Sequence, residues 1–207
     1  MPDQEPTPSV PPPADPAPTT VPRADQPLLV ALVGLAGAGK STAVELCRER
    51  LDAAVVYFGG LVVDRVKELG LPPGEPSERA VREDWRGRHG MAALAVAATP
   101  RIEAHLHAGR RVVIDGLYAW AELEWLQAHF LLTTVAIHAD RALRESRLAA
   151  RPIRPLTPLE ARSRDLAEVT HLDKARPIAL ADHHVINNEA PDRLARQIEH
   201  LVTAWLV

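Results

Sequence analysis

Lys40, Ser41 and Thr42 follow the glycine-rich run Gly34-Leu35-Ala36-Gly37-Ala38-Gly39. That order fits G-x-x-x-x-G-K-[ST] at every fixed position. The chemistry such a run can do is polyphosphate binding. Gly37 and Gly39 let the backbone wrap tightly and turn its N–H groups inward, making an anion-binding nest. The N-terminus of a following helix adds to the attraction. Gly34, Gly37, Ala38, Gly39, Lys40, Ser41 and Thr42 are therefore the expected ATP-binding set. Lys40 should reach the β- and γ-phosphates, and Ser41 Oγ should ligate Mg²⁺.

Asp115 is the second chemical anchor. It closes the apolar run Val112-Val113-Ile114. An acid at the carboxyl end of a buried strand lies on the ligand side of an open α/β sheet, where it holds Mg²⁺ directly or through water. The next residue is Gly116, not a glutamate that could activate water, which points to transfer onto a bound acceptor and away from hydrolysis. The guanine-selective N-K-x-D motif is absent. The third feature is basic. Between Arg141 and Arg164 stand seven arginines and two acids, near +5 in a chain of net charge −3. Arg147, Arg151 and Arg154 bracket Pro152 and Pro155, so part of the stretch is non-helical. A flap of this kind closes over phosphates and spreads transition-state charge, and guanidinium suits it by forking onto phosphate oxygens. Lys40, Asp115, Arg147, Arg151 and Arg154 are the expected catalytic set.

These residues need a scaffold, and the periodicity supplies one. Apolar strands are expected at 27–33, 53–58, 111–116, 131–137 and 184–187. Helices are expected at about 40–51, after a break at Gly59-Gly60 with Val62, Val66 and Leu69 on one face, and from a Ser77 cap to about His89. A further helix over about 91–108 should kink or restart at Thr99-Pro100. Others run to about Phe130, over 140–150, from the Thr157-Pro158-Leu159-Glu160 start signal, and from Pro191 with Leu194, Ile198, Leu201 and Trp205 inward. Strands alternating with helices imply a parallel sheet covered on both faces.

Residues 1–25 are different material, with nine prolines among them. They are expected to form a disordered tail, with the domain at 26–207 and an arginine-rich lid at about 141–164. The tail has no basic start and no apolar core of its own, so it is not a signal peptide. Net charge −3 and a pI near 6.3 give no pull toward nucleic acid or anionic membrane. No apolar run approaches the roughly 20 residues that span a bilayer. The single cysteine, Cys47, excludes an internal disulfide framework and fits a reducing, cytoplasmic compartment. It falls in step with Val44 and Leu51, an inward position. His105 and His107 do not share a helix face, and His183 and His184 point to opposite sides of a strand, so no zinc pattern arises.

Across 27–205 the chain resembles the P-loop kinases of the adenylate kinase and dephospho-CoA kinase superfamily. It is most similar to a largely archaeal family of dephospho-CoA-kinase-like proteins. The shared landmarks are Gly34 to Thr42, Phe58-Gly59 with Gly70-Leu71, Arg86 with Gly90, Val113 to Gly116, the arginine flap, Arg164-Asp165, and Ile178 to Asp182 leading to Val185-Ile186-Asn187-Asn188. The resemblance implies a three-layer α/β P-loop NTPase fold of the nucleoside-monophosphate-kinase type with five parallel strands. It implies an ATP- and Mg²⁺-dependent kinase for a small-molecule phosphate acceptor, a nucleoside monophosphate or dephospho-CoA. It places Asn188 beside the adenine, and Gly59, Arg65, Arg86 and Tyr118 on the acceptor side. Two positions depart from the pattern. Gly59-Gly60 stands where Gly-Asp is usual, and Tyr118 where arginine is usual. These departures support two alternatives: an ATP-binding regulator with impaired catalysis, or a kinase for a non-nucleotide metabolite.

Overall fold

The structure, a computed structural model, describes residues 28–206, so the expected tail lies outside the described residues. In chain order the elements are β1 (Leu29–Val33), α1 (Lys40–Leu51), β2 (Ala54–Tyr57), α2 (Phe58–Glu68), α3 (Glu75–His89), α4 (Ala93–His107), β3 (Val112–Asp115), α5 (Trp120–His129), β4 (Leu132–His138), α6 (Arg141–Ala149), α7 (Pro158–Leu172), α8 (Ala175–Ala179), β5 (His183–Ile186) and α9 (Pro191–Trp205). All strand pairs are parallel, in the order β2-β3-β1-β4-β5. The expected α/β class with a five-stranded parallel sheet is the observed one.

The strands read as unbroken apolar runs because both sheet faces are covered. β1 sits in the middle, and its five residues are all buried. Period-two alternation splits it between two cores. Leu29, Ala31 and Val33 pack with Val62, Ala98 and Leu123 from α2, α4 and α5. Leu28, Val30 and Leu32 pack with Val44, Cys47, Leu194 and Ile198 from α1 and α9. Cys47 is fully buried, and burial pushes its thiol up to about 12.

Three local expectations change. Ser77 does not cap α3. The helix starts three residues earlier behind Gly74, with a proline in its first turn and Glu75 and Glu78 beside the positive end of the dipole. Pro100 does not restart α4, which runs through it. Thr99 Oγ1 donates to Ala95 O at 2.9 Å and accepts from Trp125 Nε1 at 3.1 Å, tying the turn before the proline to itself and to α5. The third is α8, five residues with a proline inside, too short to leave a periodic signal. The Thr157 start holds: Glu160 N donates to Thr157 Oγ1, and Thr157 N donates to Glu160 Oε2. Among the described residues no helix is long and apolar enough to cross a membrane.

Candidate nucleotide site

The glycine-rich loop, 34–39, joins β1 to α1 at the carboxyl edge of the sheet. Gly37 and Gly39 have φ of 78° and 101°, a region that favours glycine. Space enforces the same choice. A Cβ at Gly37 would come within 2.7 Å of Arg144 O, and one at Gly39 would collide with Asn187 Nδ2. Gly39 is the N-cap of α1. No side chain caps this helix, and no acid stands in its first turn. Its leading N–H groups are therefore left to an anion.

Three distant side chains hold the loop by its carbonyls. Arg144 is buried and donates to Ala36 O at 3.1 Å and to Asp165 Oδ2 at 2.7 Å. Asn187 Nδ2 donates to Ala38 O at 2.8 Å. Arg147 donates to Asn187 O at 3.0 Å and reaches Gly37 O at 3.5 Å. Each bond takes up a loop carbonyl or braces the group that does. Lys40 Nζ donates to Gly34 O and Leu35 O at 2.8 and 3.0 Å. Burial lowers its ammonium to about 7; Lys174 adds to the effect, and Glu168 and Asp115 oppose it.

Register brings the second anchor alongside. β3 lies next to β1, with Ala31 opposite Ile114, so Asp115 ends beside the loop. Burial raises its carboxyl, against the pull of Lys40 and the Gly116 N–H. Asp115 makes no ion pair among the described residues. A hydroxyl at the start of α1, Ser41, and this free carboxylate are hard oxygen donors of the kind Mg²⁺ takes, so the residues present fit the ion.

On the other side of Asp115 stand two tyrosines. Tyr57 ends β2 directly opposite Asp115. Its hydroxyl folds over Gly59, and its ring, like that of Tyr118, lies against Gly116. Tyr118 is pushed up to about 12 by burial. Its backbone N–H, with that of Ala119, donates to Glu122 Oε2 at 2.7 and 2.9 Å. Glu122 is buried, which raises its carboxyl to about 7 against those two bonds and the charges of Arg86 and Lys174. Arg86 has no ion-pair partner among the described residues. Arg65 pairs with Glu68 at 3.0 Å and lines a groove with Trp85 and His89.

The flap divides by position. Arg147 is spent on the loop, as described. Arg151 and Arg154 lie between α6 and α7, exposed, and their side chains have no hydrogen-bond partners among the described residues. Arg154 has φ of 54°, and its charge reaches Tyr57. Asn188 accepts from Asp140 N at 2.8 Å, bridging the segments after β4 and β5. Reading the residues alone missed Arg144, which looks like one more flap arginine, and the buried side chains of Glu122, Glu168 and Lys174. Asn187 carried a signal in its place beside Asn188.

Fold and loop together define a P-loop protein of kinase-type architecture. A family profile described as "AAA domain" matches residues 30–166. A UPF0200 protein of Methanoculleus marisnigri is 33% identical over 178 residues, covering 84% of this chain and 94% of that one. One from Aeropyrum pernix is 30% identical, covering 77% and 84%. The chain belongs to the UPF0200 family. In fold it resembles TT1252 from Thermus thermophilus (TM-score 0.57, 19% identity, covering 86% and 98%). It also resembles the shikimate kinase of Aquifex aeolicus (0.54, 19%, 86% and 97%) and a gluconokinase from Sinorhizobium meliloti (0.54, 14%, 86% and 93%).

Proposed function

We propose that this protein is an ATP-dependent small-molecule kinase, acting in the cytoplasm, that transfers the γ-phosphoryl group to a nucleotide-like acceptor such as a nucleoside monophosphate or dephospho-CoA. The observation that carries the reading is the pairing of β1 with β3. It sets Lys40, Ser41 and the uncapped start of α1 beside Asp115, with glycine rather than a second acid after it.

In this reading the amides of residues 37–42 and Lys40 hold the phosphates, and Asn188 lies beside the base. Ser41 and Asp115 would hold Mg²⁺, which neutralises phosphate charge when bound. Arg151 and Arg154 are free to turn onto the transferring group, while Arg147 keeps the loop in shape. Gly59, Tyr118 and Arg86 form the acceptor side, and Arg65 would first have to release Glu68. In-line positioning and fixed charge supply the rate enhancement.

One observation favours a second reading, an ATP-binding regulator. Tyr57 folds over Gly59 where an acceptor would approach. Labelled ATP incubated with nucleoside monophosphates, dephospho-CoA and small hydroxyl metabolites decides between them. Label passing to an acceptor, and lost in Asp115→Asn, supports the kinase. ATP binding without transfer to any acceptor leaves the regulator.

A further inference from the structure

Lys174 is a charged side chain with no exposed surface, and phosphoryl transfer as outlined makes no use of it. An ammonium enclosed in protein is costly unless it is paired. It follows α7 directly after Asp173, whose φ of 52° ends the helix, and its N–H donates back to Glu168 O at 3.3 Å. Its Nζ donates to Glu168 Oε2 at 2.5 Å and sits 4.2 Å from the centroid of the Tyr118 ring. The other oxygen of Glu168 accepts from Arg164 Nε at 2.9 Å.

Two things follow from this chain of contacts. Arg164 is bound through Nε alone, so its two terminal nitrogens have no partner among the described residues and their fork is open. Its side chain is 42% exposed. The charges also add up to a net cation: Arg164 and Lys174 together exceed Glu168 by one. Without Lys174, Glu168 would neutralise Arg164 and leave the pair to swing with the exposed turns of α7. The ring that covers Lys174 belongs to the segment after Asp115, so the assembly is fastened to the catalytic edge of the sheet. Arg164 and Lys174 are both close enough for their charges to act on Lys40.

We infer that Lys174 is a positioning residue: through Glu168 it aims the open fork of Arg164 at the phosphoryl group in transfer and keeps that arginine's charge uncompensated. The inference rests on the kinase reading, and its test is separable from it.

The test is binding of Mg·ADP with and without aluminium fluoride, a mimic of the planar phosphoryl group, since such analogues bind at least about 100-fold tighter than ground-state ligands. Lys174→Met and Arg164→Ala should each lose about tenfold or more of the fluoride-dependent tightening, while affinity for ADP alone changes less than about twofold. The double variant should be no worse than Arg164→Ala, because both changes remove one device. Lys174→Arg should keep most of the effect. If Lys174→Met does not fold, Lys174→Gln, which keeps a donor to Glu168 without the charge, takes its place. Full tightening in the Lys174 variant overturns the inference, as do losses that multiply in the double variant. A wild type that binds ADP but gains nothing from fluoride overturns it too. Failure of the kinase reading shows elsewhere, as absence of transfer from ATP to every acceptor.

Discussion

Removing Arg144 tests whether the phosphate loop is held from outside. The residue is buried, and it gives one proton to Ala36 O and another to Asp165 Oδ2. Asp165 is 17% exposed and its other oxygen, Oδ1, is buried without a partner among the described residues. Arg144→Ala therefore strands a carboxylate and a loop carbonyl at once. Breaking a buried pair from one side costs about 3–5 kcal/mol, and the partial access of water to Asp165 lowers the expectation to about 2–4 kcal/mol. With a urea slope of about 1–3 kcal/mol per molar, the unfolding midpoint should fall by about 1–2 M. Arg144→Met combined with Asp165→Leu removes both charges and should recover more than half of that loss. Mg·ATP affinity should fall in both variants, since Ala36 O is released in both. Equilibrium urea unfolding and calorimetric titration measure the two effects. A single-variant cost below about 0.5 kcal/mol, the scale of a surface pair, would refute the reasoning. So would a double variant that costs the sum of its parts.

Lys40→Ala should abolish thermal stabilisation by Mg·ATP, which at 100 times Kd is worth about 2.7 kcal/mol in the wild type, as a melting series in nucleotide concentration will record. Gly39→Ala should lose ATP binding more completely than Ala38→Gly, because a Cβ at 39 meets Asn187 Nδ2 and φ is 101° there; filter binding compares them. Arg151→Ala and Arg154→Ala should lower kcat by roughly tenfold or more with ATP affinity little changed, whereas Arg147→Ala should weaken binding as well. Burial holds Glu122 near 7 in the folded chain, above its unfolded value of about 4.5. The folded state therefore binds the extra proton between those values, and stability should fall as pH rises from about 4.5 to 7. Glu122→Gln should flatten that slope in urea midpoints taken at pH 5 and 7.5.

The residues that could be read ahead are those whose local sequence carries their reason. Six apolar residues, a fixed glycine spacing and a lysine define β1, the loop and α1 without help from the rest of the chain. Thr157 to Glu160 start α7 for equally local reasons. Ser77 failed because Pro76 and Glu75 give the dipole and the first turn what they need three residues sooner. Arg144 and Arg147 could not be sorted from Arg151 and Arg154, since all four stand in one basic run. Only the packing of α6 against the loop turns the first two inward. Lys174 was invisible for a similar reason: an isolated lysine signals solvent unless its partner, Glu168, is seen to face it.

The loop's supports also come late in the chain. Ala36 and Gly37 are held by residues 108 and 110 positions away, and Ala38 by one 149 positions away. During synthesis the glycine-rich segment emerges long before α6 and the end of β5 exist. Closing such distant contacts is slow for entropic reasons. A nascent chain halted after β3 would hold every residue of the sequence motif and none of its tethers. The ability to hold nucleotide should thus arrive as a single late event, once the last strand has docked, and half-made chains should not capture ATP meant for finished ones.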